Sequence, residues 1–279
     1  MADVHAPEAP MASRQDRKGP NPPGDFIWYE LMTPDPEGAK AFYDAVVGWD
    51  IGEPMDGAIE YRMIGRSDGG NAGGVLTLTE DMASHGAKPM WIGYINVDDV
   101  DSSVTSIEQS GGRTLMGASD VPGVGRIAMV ADPDGAPFYA MKPTPPADNP
   151  EASSDVFSPT KPQRVSWNEL NTSDPDGARK FYAAQFGWTS DDFMPMGDMG
   201  EYRFWMHQGL ALGAVCGLMG QAHPKWRFYF RVPSIAAAKD TIEAKGGRIT
   251  NGPHEVPGGD QVIIGIDPQG AEFALVGGA

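Results

Sequence analysis

Apolar and polar positions alternate through "FIWYELMT", which begins at Phe26, as in a strand with one face buried. The period then changes. Ala39, Phe42, Tyr43, Val46 and Val47 recur at helical spacing, Asp35-Pro36 supplies an N-cap and a first-turn proline, and Gly48 closes the helix. "EYRMIGR" and "GGVLTL" predict two further strands. At Met90 the order restarts: "WIGYINV" predicts a strand, "DDVDSSVTSIEQS" an amphipathic helix ended by Gly111, and "GRTLM", "GRIAMVA" and "APFYAMK" three strands. Asp132-Pro133-Asp134-Gly135 is a turn between the last two. The pattern is βαβββ, twice.

The whole arrangement is then written again. "WYELMTPDPEGAKAFYDAVVGW" from Trp28 and "WNELNTSDPDGARKFYAAQFGW" from Trp167 share 13 of 22 positions. Glu60-Tyr61-Arg62 returns as Glu201-Tyr202-Arg203, Trp91 as Trp226, and "DPDGAPF" at Asp132 as "DPQGAEF" at Asp267. Self-similarity over half the chain means two copies of one domain. We expect a disordered tail at 1–25, domains at 26–142 and 164–279, and a linker at 143–163, where prolines cluster. The fold class is α+β: in each domain two modules curl side by side, helices cover one face of the sheet, and the other face encloses a cup.

Composition narrows the setting. The chain has 279 residues, 41% of them hydrophobic, and a net charge of −17 that disfavours nucleic acid and anionic membrane as partners. No apolar run is long enough for a membrane helix, and the first 25 residues lack the apolar centre of a signal peptide. A single cysteine, Cys216, fits a reducing cytoplasm.

Four βαβββ modules, a "D-P-x-G-A-x-x-F-Y" helix and a "D-P-x-G" turn before the last strand resemble the vicinal oxygen chelate superfamily, which includes glyoxalase I, extradiol dioxygenases and bleomycin-resistance proteins. The resemblance covers roughly residues 26–142 and 164–277. It implies a divalent metal held in each cup by His and Glu side chains. The corresponding positions are Trp28, Ile92, Tyr139 and the strand at Gly73 in the first copy, and Trp167, Arg227, Ala274 and the strand bearing Cys216 in the second. None holds His, Asp or Glu, so no metal and no cofactor are expected. The five histidines form no ligand pair; each reads as a surface residue, and Cys216 as a small buried one.

Strand alternation assigns the cup faces. If Leu31 and Thr33 face the helices, then Trp28, Glu30 and Met32 face the first cup, joined by Ile92, Tyr94, Asn96, Tyr139 and Met141. The second cup receives Trp167, Glu169, Asn171, Arg227, Tyr229, Arg231, Glu272 and Ala274. Glu30 and Glu169 are the candidate catalytic groups, since a carboxyl among apolar walls is raised toward neutral pH. Candidate ligand contacts are Trp28, Met32, Tyr94, Asn96 and Tyr139 in the first cup and Trp167, Arg227, Tyr229, Arg231 and Glu272 in the second. Equally, Glu169 can close its cup by pairing with Arg227 or Arg231, and the tryptophans can plug the barrel. Arg62 and Arg203 read as strand-edge ion pairs. Three functions are compatible with this: a metal-independent enzyme acting on a small carbonyl or aromatic compound, a binding protein for a small organic molecule, and, as the alternative, a metal-dependent lyase, isomerase or dioxygenase. A monomer suffices for the fold, and a homodimer is compatible with it.

Overall fold

The computed structural model describes residues 19–57 and 59–279. The first module runs β1 (Phe26–Thr33), α1 (Pro36–Val47), β2 (Asp50–Ile51), β3 (Tyr61–Gly65) and β4 (Asn71–Thr77). A five-residue helix, α2 (Glu80–Ser84), leads to the second: β5 (Met90–Asn96), α3 (Val100–Gln109), β6 (Arg113–Val121), β7 (Gly125–Ala131) and β8 (Pro137–Pro143). The apolar pattern does not reveal α2 because none of its residues is buried.

The same order returns as β9 (Val165–Asn171), α4 (Pro175–Phe186), β10 (Phe193–Pro195), β11 (Glu201–His207), β12 (Leu210–Cys216), β13 (Lys225–Ser234), α5 (Ile235–Ala244), β14 (Arg248–Glu255), β15 (Gln261–Ile266) and β16 (Glu272–Gly278).

The repeated "D-P-x-G" at the helix starts has a mechanical reason. The Asp35 carboxylate accepts the Gly38 backbone N–H, and a Cβ on Gly38 would lie 2.1 Å from that carboxylate. Asp174 and Gly177 repeat the arrangement, with 2.2 Å. Only glycine lets the cap close this tightly; loss of such a cap costs about 1 kcal/mol.

Each domain is one eight-stranded mixed sheet, β2-β3-β4-β1-β5-β8-β7-β6 and β10-β11-β12-β9-β13-β16-β15-β14. The modules join where β1 and β5, or β9 and β13, run antiparallel. As alternation predicts, Tyr29, Leu31 and Phe138 lie in the helix-side core, while Ile92, Tyr94 and Tyr139 cluster on the opposite face.

The helix-side faces of both sheets share one core. Trp49 meets Phe230 at 4.9 Å and Phe42 meets Phe273 at 5.4 Å, in each case across the domains. The Tyr43 hydroxyl of α1 accepts from Trp91 and donates to Asp267 in the other domain's turn, both at 2.9 Å. Tyr182 of α4 reciprocates, donating to Asp132 at 3.1 Å. The helical "F-Y" and the "D-P" turn are therefore the two halves of one interdomain contact.

Of the stretch expected as a tail, residues 1–18 lie outside the described residues. From Asn21 the chain packs: its carbonyl accepts from Asn96 Nδ2 at 2.6 Å, and Asp25 is buried. The linker is likewise fastened. Val156 and Phe157 are buried, and Asp155 pairs with Arg66 at 2.8 Å and Arg164 at 2.6 Å. Among the described residues no helix is long and apolar enough to cross a membrane.

Candidate functional site

The first cup is built on the join between β1 and β5. Their register sets Trp28 opposite Tyr94 and Glu30 opposite Ile92, and β8 brings Tyr139 beside Tyr94. The Tyr94 hydroxyl donates to Glu30 Oε2 at 2.9 Å. Tyr61 of β3 accepts from Trp28 Nε1 at 2.8 Å and stands near enough to Glu30 to influence its carboxyl. Tyr94 and Tyr139 stack with centroids 4.3 Å apart. The Tyr61 hydroxyl sits where a side chain on Gly74 would be, so this glycine makes room for it.

Glu30 is 3% exposed, and no cation contacts it among the described residues. Burial pushes its carboxyl up to about 7, against the opposing influence of the Tyr94 and Tyr61 hydroxyls. Its Oε1 is buried and has no hydrogen-bond partner among the described residues. Burial and the Glu30 charge hold the phenols of Tyr61, Tyr94 and Tyr139 above their ordinary range. Glu30 is therefore the group in this cup that changes charge near neutral pH. Around it lie Ile27, Ile92 and Met141, with half-buried Trp28, Ile127 and Met129 outside them. Met32 is buried and apolar.

The second cup repeats the network. Trp167 Nε1 donates to Tyr202 at 2.8 Å, and Tyr202 and Tyr229 both donate to Glu169 Oε2, at 2.8 and 3.0 Å. The difference stands opposite the carboxylate. Where the first cup has Ile92, Arg227 donates to Glu169 Oε1 at 2.5 Å and to Glu272 at 2.9 Å. Lys225 also reaches Glu272, at 2.7 Å, and Asn171 reaches Glu169 Oε1 at 3.2 Å. Ala274 replaces the stacked Tyr139. This is the closed cup that pairing of Glu169 with Arg227 anticipates.

Two candidate contacts lie elsewhere. Arg231 donates to the Pro159 carbonyl and Ser166 Oγ, both at 3.1 Å, and to Asp260 at 2.6 Å. Asn96 holds the Asn21 carbonyl. Both sit at the outgoing ends of their strands, and each fastens the segment leading into its own domain. Sequence reasoning missed Tyr61 and Tyr202, the middle residues of the repeated Glu-Tyr-Arg. Alternation supplies the signal: Arg62 and Arg203 point away from the cups, Arg62 buried against Glu37 of α1, and pair with Glu60 and Glu201, both at 2.6 Å, so the tyrosines between face the cups. His207 is also corrected. It is buried, 3.7 Å from Asp25, where a surface histidine was expected. Cys216 is buried as expected; burial and then Glu169 push its thiol up to about 12.

The residues do not fit a divalent metal. Among the described residues no group of three or more His, Cys, Asp or Glu converges. In the first cup Glu30 stands among phenols, and in the second the Arg227 guanidinium occupies the carboxylate's free side, which repels a cation. Two open surface clefts, of about 430 and 370 Å³, lie outside both cups, one between the Asp132 turn and α4 and the other between Asn21 and the linker.

The model of the Glyoxalase/Bleomycin resistance protein/Dioxygenase superfamily matches residues 26–138 and 164–275. A putative glyoxylase of Mycobacterium tuberculosis, CFP32, is 30% identical over 256 residues, 89% of this chain and 93% of its own. The anthracycline biosynthesis protein DnrV of Streptomyces peucetius is 29% identical, over 91% of this chain and 93% of its own. Among solved structures, the Mn(II)-bound glyoxalase of Novosphingobium aromaticivorans superposes with a TM-score of 0.61 at 16% identity, covering 91% of this chain and 82% of its own. An extradiol ring-cleaving dioxygenase of B. fuscum gives 0.62 at 18%, covering 91% and 72%. At such identities the likeness is one of fold.

Proposed function

The chain belongs to the glyoxalase/bleomycin resistance protein/dioxygenase superfamily, and from that premise we propose that it is a small-molecule binding protein whose site is the first cup, with Glu30 as the polar anchor. The observation that carries this reading is the contrast around two matching carboxylates. Glu169 is neutralised by Arg227, whereas Glu30 has one oxygen unused and apolar or aromatic neighbours. An apolar wall with few directed polar groups suits a small aromatic compound. A relative named for anthracycline biosynthesis accords with an aromatic ligand. The Glu169–Arg227 pair makes the second cup a structural plug.

A second reading, a metal-independent enzyme, is favoured by the Glu30 carboxyl near 7, because a group of that acidity both takes and returns a proton in neutral solution. A cytoplasmic setting accords with the lone cysteine, and a monomer with the core that the two domains share.

The test is ligand-detected NMR with a panel of small aromatic compounds against wild type and Ile92→Arg, which fills the first cup as Arg227 fills the second. Binding to wild type that disappears in Ile92→Arg supports the reading. Binding that survives in the variant places the site elsewhere and sinks it.

A further inference from the structure

The two cups are related copies, so the one whose carboxylate is paired shows what completes the other. In the second, both tyrosine hydroxyls bond Glu169 Oε2, and the guanidinium of Arg227 bonds Oε1. In the first, Tyr94 bonds Glu30 Oε2, and Oε1, the atom equivalent to the one Arg227 takes, has no partner among the described residues. Glu30 is 3% exposed, so this oxygen does not find its partner in bulk water.

We propose that the first cup binds an organic cation, a flat amidine or guanidine, whose N–H bonds Glu30 Oε1 as the Arg227 guanidinium bonds Glu169 Oε1. This deepens the small-molecule reading given above and rests on it.

Three further observations point the same way. The rings of Trp28, Tyr61, Tyr94 and Tyr139 gather around the carboxylate, and aromatic faces beside an anion attract cations. The net charge of −17 draws cations toward the molecule and repels anions. The groups facing Glu30 from β1, β3, β5 and β8 are Trp28, Tyr61, Ile92, Tyr94 and Tyr139, none of them cationic.

Binding is then coupled to protons. A cation at Oε1 favours the carboxylate form, so complex formation near pH 7 releases a proton from Glu30.

Isothermal titration of the full chain with benzamidine and with its uncharged near-isostere benzamide, in 0.15 M salt as a working value that screens loose surface association, tests the proposal. Benzamidine is expected to bind wild type at least about tenfold more tightly than benzamide. Glu30→Gln should erase that preference, and Ile92→Arg should abolish binding. Titration at neutral pH in two buffers of different ionisation heat should show proton release in wild type but not in Glu30→Gln. If Ile92→Arg fails to fold, Glu30→Gln decides alone. Benzamide binding as well as benzamidine, with both lost in Ile92→Arg, overturns the cation and leaves the first cup a site for neutral molecules. Benzamidine binding unchanged in Glu30→Gln overturns the cation reading, because the charge is then recognised elsewhere. If neither probe binds, the cation reading is overturned, while the small-molecule reading stands or falls with the wider aromatic panel.

Discussion

The two cups are built on one plan and differ in how a buried charge is managed. In each, a tryptophan N–H meets a tyrosine hydroxyl and a tyrosine on the facing strand donates to the glutamate Oε2; in the second cup the first tyrosine reaches that oxygen as well. At the facing position one copy has Ile92 and the other Arg227. That exchange, with Glu272, Lys225 and Asn171 joining Arg227, separates an ion pair sealed inside the protein from a carboxyl driven toward neutrality. The shared framework is a scaffold for a carboxylate; function depends on what stands across from it.

The largest break in this comparison is Arg227→Ile, which gives the second cup the first cup's facing residue. It leaves Glu169 and Glu272 without their central cation, and stability measured by urea unfolding should fall by about 3–5 kcal/mol, the cost of orphaning a buried charge. Retention of wild-type stability would show that the pair contributes nothing.

Glu30→Gln should act in the opposite direction. A carboxyl of about 7 in the folded chain, against 4.5 when unfolded, means that the folded state binds the extra proton between those values. Wild-type stability therefore falls as pH rises from about 4.5 to about 7, by roughly 3 kcal/mol in all. The glutamine variant lacks this loss. Its advantage over wild type should grow across that window and level off above it; a pH-independent difference would place the Glu30 carboxyl at its ordinary value.

Tyr94→Phe removes one hydrogen bond to Glu30 and should cost about 1.5–3 kcal/mol at pH 8, where the acceptor is ionised. Carboxyl-carbon NMR should also show Glu30 titrating higher than in wild type, because this bond holds it down.

The smallest effect belongs to Arg203→Ala. It removes a pair with the exposed Glu201, and a loss of about 0.2–1 kcal/mol is expected in thermal unfolding. The first cup, in the other domain, should bind its probes unchanged.

Much of this was legible from the chain. Alternation sorted Glu30 and Tyr94 from Leu31 and Ile95, because a strand buried on both faces keeps its period even where polarity is lost on one side. That the positions which the resemblance assigns to a metal hold no His, Asp or Glu was readable one by one. What stayed hidden depends on length and on contacts across copies. Tyr61 lies at the start of a five-residue strand whose flanking charges form a more obvious ion pair. Asn96 and Arg231 obey the alternation, yet at strand ends the chain arriving from outside captures them. His207 carries no local sign that Asp25, far away in sequence, will bury it. The meaning of Ile92 against Arg227 emerges only when the two carboxylates are compared oxygen by oxygen.

The reciprocal bonds from Tyr43 to Asp267 and from Tyr182 to Asp132 have a thermodynamic consequence. Each domain's helix is part of the other's wall, so neither sheet can shed its helices while its neighbour stays intact. Heating should meet one cooperative unit and produce one transition. A compound seated beside Glu30 would then shield distant amides of β14 and β15 from hydrogen exchange as fully as those of β6 and β7, because the opening that exposes either pair is the same event.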